Sequence, residues 1–310
     1  MKLQQLRYLV EVYKQGLNVT DAAEKLHTSQ PGISKQIRML EDELGVQVFI
    51  RNGKRVVDVT APGKEVLRIA ERMLMQAQNL KRVGEEFVRV ENGSLTIATT
   101  HTQARYALPG PIKAFLQRYP QVRLALKQGT PTQICEMVIS GEADIAIATE
   151  GISLFPELAM LECFEWNRCV VVPNGHPLTR LDHKITLEDI AAWPIVTYDF
   201  AFAGRSQINQ AFAAKKLEPQ VALSAIDTDV IKTYVALGLG VGLIAEMAYD
   251  PEKDNTLTAI DAAHLFEPSK TRIGIRKDAY LRGYVYDFIE LFAPHLTRKA
   301  VQHALLCDED

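Results

Sequence analysis

The stretch VTDAAEKLHTSQPGISKQIRMLEDELG, residues 19–45, predicts two short helices joined by a tight turn at His27 and Thr28. Asn18 is a suitable N-cap for the first helix and Ser29 for the second. Pro31 is tolerated in a first helical turn, where its missing N–H would have no partner. The apolar residues of the second helix recur at helical spacing and predict a buried face: Ile33, Ile37, Leu40 and Leu44. The pattern is typical of a helix-turn-helix, whose second helix fits a DNA major groove.

The outer side of this predicted motif carries side chains that hydrogen-bond bases and phosphates. The candidate DNA-contacting residues here are Thr28, Ser29, Gln30, Ser34, Lys35 and Arg38. Two amphipathic helices with a short turn also occur in proteins that never touch DNA, so the flanking sequence has to decide.

Both flanks favour DNA. A preceding helix presents one apolar face and completes a three-helix core: Leu3, Leu6, Leu9, Val10 and Tyr13. Residues 46–60 predict a β-hairpin that turns at Asn52-Gly53, a strong hairpin signal. Its tip adds three candidate DNA contacts, namely Arg51, Lys54 and Arg55. A basic wing beside a recognition helix predicts contact with a phosphate backbone.

Composition agrees with a soluble globular protein of modest charge. The chain has 310 residues, 47% hydrophobic and 24% charged, with a formal net charge of −3. Residues 1–90 contain 15 Lys and Arg against 11 Asp and Glu, and the remainder contains 20 against 27. A mildly basic N-terminal region, residues 1–90, followed by an acidic remainder suits a protein that binds specific DNA sites.

The four cysteines lack metal-ligand spacing, so we expect inert free thiols and no metal site: Cys135, Cys163, Cys169 and Cys307. No signal-peptide pattern or apolar run of about 18 residues is present, which predicts a cytoplasmic location and no contact with membranes.

A long amphipathic helix is predicted between head and body, over residues 61–91. Its apolar residues follow helical spacing: Val66, Ile69, Ala70, Met73, Leu74, Ala77, Leu80 and Phe87. A lone helix of this length needs a partner. Burial against the chain's own body is one possibility, and an antiparallel contact between two chains explains the stripe better.

The body, residues 92–310, alternates strands and helices and predicts an α/β domain of two lobes. We expect lobe I at about 92–161 plus 268–297 and lobe II at about 162–267, with crossovers near 161–163 and 266–268. Ligands of such clamshells bind between the lobes, at the carboxyl ends of the strands.

The cleft of this clamshell is predicted to bind a compact oxyanion. The first strand ends in TTHTQARYALP, residues 99–109, just before a helix, and Thr149 ends a strand at the same edge. Hydroxyls, an amide and free backbone N–H groups at a helix start suit an anion such as sulfate. The alternative is that the threonines merely cap the helix.

The whole chain resembles the LysR-type transcriptional regulators. The resemblance rests on Ala22-Ala23, the run from Ser29 to Ile37, Leu44-Gly45, Phe49, Arg51, Arg55 and Thr60-x-x-Gly63. It implies an N-terminal winged helix-turn-helix over residues 1–60, a dimerising linker helix over 61–91 and a two-lobed effector domain like the periplasmic binding proteins. It also implies a homotetramer built as a dimer of dimers on double-stranded promoter DNA.

The body resembles the cysteine-regulon branch of this family, the CysB and Cbl type. The matching segments include residues 99–109, 131–134, 145–150, 166–168, 229–234 and 286–297. The resemblance implies an effector pocket lined by Thr100, Thr102, Gln103 and Thr149. It further implies a regulator, mainly an activator, of sulfate or sulfonate assimilation and cysteine biosynthesis genes. Its effector would be sulfate, thiosulfate or an acetylated serine. Ala203 lacks the hydroxyl that the branch is expected to place there.

Other functional classes are less well supported. Gly238-x-Gly-x-Gly242 follows a helix and enters a strand, the reverse of a dinucleotide-binding loop. His101 is the one histidine in the predicted cleft, and no catalytic set accompanies it in the sequence. We therefore expect no enzyme activity and no cofactor. A LysR-type regulator with a non-sulfur anionic effector stays open, whereas the DNA-reading head argues against a solute-binding protein.

Overall fold

The structure is a computed structural model that describes residues 1–53, 55–88, 93–149, 151–152, 155–199 and 205–306, with the backbone alone at 85–88. The chain divides into two compact units, Met1–Val88 and Arg89–Asp310. None of the described helices is long and apolar enough to cross a membrane.

The N-terminal unit is a winged helix-turn-helix, as predicted. Its elements are α1 Leu3–Lys14, α2 Val19–Lys25, α3 Gln30–Leu44, β1 Phe49–Asn52, β2 Arg55–Val59 and α4 Ala61–Val88. Both predicted caps are confirmed. Asn18 Oδ1 accepts the Thr20 and Asp21 N–H groups at 3.0 and 3.3 Å, and Ser29 Oγ accepts the Gly32 N–H at 3.3 Å.

The helical core differs from the predicted one at its ends. Ile33, Ile37 and Leu40 are buried as predicted, but Leu44 is 39% exposed. Helix α3 ends at Leu44 because Gly45 follows in a left-handed conformation, φ 68°, which glycine adopts without strain. Glu41 instead fills the buried position at this end of the helix. On α1 the predicted inward residues Leu3 and Tyr13 are also exposed.

The start of α4 is fixed by a close backbone approach. Thr60 Oγ1 donates to the Gln47 carbonyl at 2.6 Å and accepts the Gly63 N–H at 2.9 Å. A Cβ built on Gly63 would lie 2.2 Å from the Val48 carbonyl oxygen, so only glycine fits here.

The apolar residues of α4 form two stripes rather than the single predicted one. Leu67 and Ala70 are buried in the helix-turn-helix core, with Val66 and Leu74 packed beside them. The residues left exposed are Ile69, Met73 and Leu80.

The C-terminal unit contains two mixed sheets flanked by helices. Its strands are β3 Gly93–Thr99, β4 Val122–Gln128, β5 Ile145–Ala148, β6 Leu158–Trp166, β7 Arg168–Pro173, β8 Ile195–Tyr198, β9 Val221–Ala225, β10 Val241–Ala245, β11 Leu257–Asp261 and β12 Ser269–Arg276. Its α-helices are α5 Pro109–Arg118, α6 Pro131–Ile139, α7 Leu187–Ala191, α8 Arg205–Ala214, α9 Thr228–Ala236, α10 Gly283–Phe292 and α11 Arg298–Leu306. A π-helix, Gln103–Ala107, precedes α5.

Each sheet forms the centre of one lobe, which confirms the predicted two-lobed architecture. The lobe I sheet has the order β4-β3-β5-β12-β6, and the lobe II sheet has the order β11-β7-β10-β8-β9. Strands β3, β4 and β5 are parallel, as are β8, β9 and β10. Strand β12 and helix α10 return to lobe I as predicted, and the run from Gly238 to Gly242 is a turn from α9 into β10.

The first crossover lies later than predicted. Strand β6 stays in lobe I as far as Trp166, because it pairs with β12 along its whole length, from Leu158↔Arg276 to Trp166↔Ser269. Strand β7 begins in the other sheet at Arg168, so the chain crosses at Asn167 and not at 161–163. The second crossover lies between Asp261 and Ser269 and includes the predicted 266–268. Asn167 Nδ2 ties the crossovers together by donating to the Ala263 and Phe266 carbonyls at 3.0 and 3.2 Å.

Candidate functional site

The candidate DNA-reading face lies along α3. Lys35 and Arg38 are exposed, as are Thr28 and Ser29 in the turn before the helix. Gln30 and Ser34 are half-buried, and Gln30 Nε2 donates to Ser34 Oγ at 3.2 Å. Lys35 and Arg38 lie on the side of α3 away from the buried Ile33 and Ile37, so the exposed side of the first half of the helix is basic, whereas Asp42 and Glu43 are exposed in its second half.

A cavity of about 610 Å³ joins this face to the wing. It is lined by Gln30 at the start of α3, by Arg55 on β2, by the loop between α1 and α2, including Asn18, and by Thr20 in the first turn of α2. The fold thus brings one predicted contact of the recognition helix and one of the wing to the same groove.

Arg51 is anchored rather than free. Its Nη2 pairs with Glu41 Oε2 at 2.7 Å, and the two side chains are 20% and 5% exposed. The other carboxylate oxygen of Glu41 accepts the Val48 and Phe49 N–H groups at 2.8 and 3.1 Å. Sequence reasoning missed Glu41, because an acidic residue beside an apolar stripe normally faces solvent. Lys54 lies outside the described residues.

The candidate anion pocket lies at the carboxyl edge of the lobe I sheet. Strands β3 and β5 are parallel neighbours in which Thr99 is paired with Ile147, so the residues that follow leave the sheet side by side. Thr100 and Thr149 both lie there, 6% and 4% exposed. The Thr99 hydroxyl does not join them, since it donates to the Ile147 carbonyl at 2.9 Å.

Gln103 opens the π-helix and is 1% exposed. Its Nε2 donates to Thr271 Oγ1 at 3.1 Å, and among the described residues its Oε1 has no partner although it is buried. The two ends of an amide have nearly the same shape. Turning the amide over would let Thr271 donate to Oε1 and would aim Nε2, a donor, into the pocket. A buried polar atom without a protein partner is uncommon, and a bound ligand is one group that would satisfy it.

Lobe II contributes polar groups that the sequence analysis did not single out. The Tyr198 hydroxyl interacts with the Thr102 side chain, lies 2.7 Å from Thr228 Oγ1 and accepts the Ala245 N–H at 3.2 Å. Burial raises the pKa of Tyr198, so the phenol stays protonated. Among the described residues, the buried polar atoms without a hydrogen-bond partner include Thr197 Oγ1 of lobe II and, in lobe I, His101 Nδ1 and Trp166 Nε1. Ala203 lies outside the described residues.

Ionic contacts cross between the lobes next to this pocket. Asp229 of α9 receives a hydrogen bond from the Tyr106 hydroxyl at 2.8 Å and pairs with Arg105 Nε at 2.5 Å. His101, Asp227 and Asp229 place potential metal-ligand atoms within 4.8 Å of one another. Arg105 and Lys232 already supply positive charge to Asp229, which disfavours a metal ion there.

The described cysteines fit the expectation of inert thiols. Cys135, Cys163 and Cys169 are buried and free, and burial raises the pKa of each thiol to about 12. A thiol with so high a pKa is a poor nucleophile and a poor metal ligand near neutral pH. Cys307 lies outside the described residues.

Comparison with known proteins places both units in one family. Residues 3–64 match the bacterial regulatory helix-turn-helix protein model of the lysR family, and residues 89–297 match the LysR substrate binding domain. The chain is 53% identical over 301 residues to the HTH-type transcriptional regulator SsuR of Burkholderia cenocepacia, covering 97% of each chain. It is 52% identical to the CysB regulator of the same organism, covering 98% of this chain and 97% of the relative.

A solved structure of the cofactor-binding domain of the Cbl transcriptional regulator has a TM-score of 0.67 and 46% identity, covering 69% of this chain and 94% of that one. These relatives are named as transcriptional regulators and not as enzymes. The chain belongs to the LysR family of transcriptional regulators, in the group that contains SsuR, CysB and Cbl.

Proposed function

We propose that this regulator activates genes of sulfate or sulfonate assimilation and cysteine biosynthesis. Its proposed effector is a small sulfur-pathway metabolite or oxyanion, held between the lobes of the C-terminal unit. Identity of about half the residues with SsuR and CysB over nearly the whole chain supports the sulfur pathway.

The proposed DNA contacts are Thr28, Ser29, Gln30, Ser34, Lys35, Arg38, Arg51, Lys54 and Arg55. We also propose that the protein binds promoter DNA as a dimer of dimers, since the two DNA-binding domains of each dimer can contact two half-sites. The exposed Ile69, Met73 and Leu80 on α4 support a contact between two chains.

The single observation that supports the effector site best is the buried polar lining around Gln103. Thr100, Gln103 and Thr149 are nearly inaccessible, and the amide of Gln103 is only half satisfied. Neutral donors in a low-dielectric site can bind a desolvated oxyanion through charge-assisted hydrogen bonds, which are about twice as strong as neutral ones. Thr102 is the N-cap residue of the π-helix, but its side chain makes no capping hydrogen bond, which favours a ligand over the capping alternative.

A thermal-shift experiment on the full chain tests the site. Sulfate, thiosulfate, O-acetylserine and N-acetylserine are added in turn, in a buffer free of sulfate and phosphate. A ligand at about 100 times its Kd adds roughly 2.7 kcal/mol, which raises Tm by several degrees. We expect a shift with at least one of these four compounds.

The Thr100→Val/Thr102→Val variant should lose this shift, and Thr179→Val, at an exposed threonine of lobe II, should keep it. A normal shift in the double variant would place the ligand elsewhere. A shift produced by none of the four compounds, but by phosphate or by carboxylates other than the acetylserines, would favour a LysR-type regulator with a non-sulfur effector.

A further inference from the structure

One short segment of lobe I, residues 100–107, holds both the proposed ligand residues and the contacts to lobe II. Thr100, Thr102 and Gln103 come first, and Arg105 and Tyr106 follow within the same π-helical turn. The turn is closed by a hydrogen bond from the Leu108 N–H to the Gln103 carbonyl at 3.0 Å. Single π-helical turns are rare in proteins overall, but those that occur often lie at functional sites. A displacement of Gln103 would therefore also displace Arg105 and Tyr106.

Asp229 receives both of those neighbours with separate oxygens. Tyr106 donates to Oδ1 at 2.8 Å, and Arg105 Nε lies 2.5 Å from Oδ2. The ammonium group of Lys232, one turn along α9, lies 3.5 Å from Asp229 Oδ1 and 5.4 Å from the centre of the Tyr106 ring. A single carboxylate of lobe II thus holds two consecutive residues of lobe I.

The lobe II side of this contact is rigid. Lys232 is 8% exposed, and its ammonium group donates to Asp254 Oδ2 at 2.9 Å and to the Ala248 carbonyl at 3.0 Å. Asp227 caps α9 by accepting the Val230 N–H at 2.8 Å. Helix α9 is therefore a firm support for Asp229.

The contact is also weak enough to be reversible. Arg105 is 56% exposed and Asp229 is 36% exposed, so water screens their attraction. Partly exposed pairs of this kind contribute about 0.2–1 kcal/mol, which shifts an equilibrium about fivefold at most. Such a contact biases a two-state equilibrium without locking it, as a regulatory switch requires.

We propose that Asp229 is an inter-lobe latch, a positioning residue that holds segment 100–107 of lobe I against α9 and keeps the pocket in its binding-competent form. The latch itself stands on the contacts just described, whereas its influence on effector affinity rests on the proposed function. Release of the latch lowers the fraction of binding-competent molecules, and apparent affinity falls by the same factor.

Hydrogen exchange on the ligand-free full chain tests the latch without any effector. Asp229→Asn removes the charge and keeps the size, and Arg105→Gln removes the exposed partner. We expect exchange of the Ala104 and Leu108 amides to accelerate about two- to fivefold in each variant, in line with the worth of a partly exposed pair. Asp250→Asn is the matched control, because Asp250 pairs with Lys253 inside lobe II, and it should leave these amides unchanged.

The double variant completes a thermodynamic cycle. If Arg105 and Asp229 act through each other, the combined change is smaller than the product of the two single changes. Unchanged exchange in both single variants, with circular dichroism showing a folded chain, would overturn the latch. Equal acceleration at amides far from α9 would also overturn it, since that result indicates general destabilisation.

Titration with sulfate and N-acetylserine then separates the two proposals. Affinity lowered up to about fivefold in Asp229→Asn, together with faster exchange, supports the latch and its coupling to the pocket. If the unmodified protein binds neither compound and exchange is still faster in the variants, the result supports the latch and contradicts sulfate and N-acetylserine as the effector. Unchanged affinity and unchanged exchange contradict the latch alone.

Discussion

Glu41 of the recognition helix and Arg51 of the wing are joined by a 2.7 Å contact between Glu41 Oε2 and Arg51 Nη2. The Glu41 carboxylate also accepts two backbone N–H groups, from Val48 and Phe49. It therefore fixes the position of the wing relative to α3, and the two elements can meet DNA as one rigid surface.

Glu41→Ala should destabilise the N-terminal unit by about 3 kcal/mol, because it leaves two buried N–H groups and one arginine without their acceptor. Urea denaturation of the full chain, followed by far-ultraviolet circular dichroism, measures this as a lower midpoint for part of the helical signal. Asp42→Ala is the matched control, since Asp42 is the exposed neighbour of Glu41. Equal midpoints for the two variants would show that the pair does not stabilise the wing.

Replacing Arg38 and replacing Arg51 should have different effects on DNA binding and stability. Arg38 is exposed on α3, so Arg38→Ala should weaken operator binding and lower the slope of log K against log salt by about one per lost phosphate contact, with stability unchanged. Arg51→Ala should reduce stability as well, because it leaves Glu41 buried without its cation. Filter binding or fluorescence anisotropy at several salt concentrations measures both slopes. Lys113→Ala, on α5, is the control. If Arg38→Ala and Lys113→Ala gave the same salt slope, the assignment of α3 as the recognition helix would be contradicted.

Local rules predicted the helix-turn-helix well because its signals are short-range. The caps at Asn18 and Ser29 and the stripe Ile33, Ile37 and Leu40 each depend on a few neighbouring residues, and the structure confirms them. The rules failed at Glu41 and Leu44, where the wing decides which side chain is buried. The hydrogen bond from the Phe49 N–H of β1 to Glu41 of α3 joins two elements, and the apolar periodicity of a single helix cannot predict it.

Only the lobe I side of the candidate pocket could be predicted from the sequence. Thr100, Gln103 and Thr149 follow lobe I strands, so the rule for carboxyl edges of parallel sheets finds them. Tyr198, Thr228 and Asp229 face that segment only because lobe II folds back over it, through crossovers whose position depends on how far β6 pairs with β12. Such long-range register is not encoded in any short motif, and the predicted first crossover was wrong for that reason.

Leu80 on α4 should be part of a contact between chains. It is 75% exposed, and Ile69 and Met73 extend the same apolar stripe. Leu80→Glu should therefore weaken self-association at least tenfold, since a charge buried at an apolar interface without a partner costs more than about 1.4 kcal/mol. Sedimentation equilibrium measures the change. Gln78→Glu, an exposed residue on another side of the helix, should leave association unchanged, and equal effects of the two substitutions would argue against this interface.

The latch at Asp229 should be insensitive to pH near neutrality. Burial alone would raise the pKa of Asp229, but the Tyr106 hydrogen bond and the charges of Arg105 and Lys232 outweigh it and lower the pKa below its ordinary value. A carboxyl whose folded-state pKa is lowered contributes stability above its unfolded-state pKa of about 3.9, and that contribution is lost as pH falls through the folded-state value. The difference in Tm between the unmodified chain and Asp229→Asn should thus be about one to three degrees and constant from pH 5 to 8. It should shrink below about pH 4. Scanning calorimetry in acetate, Bis-Tris and Tris buffers with chloride as the counterion, which contain neither sulfate nor phosphate, measures the difference. A change in this difference between pH 6 and 7 would contradict the assignment of the latch to the Asp229 carboxylate.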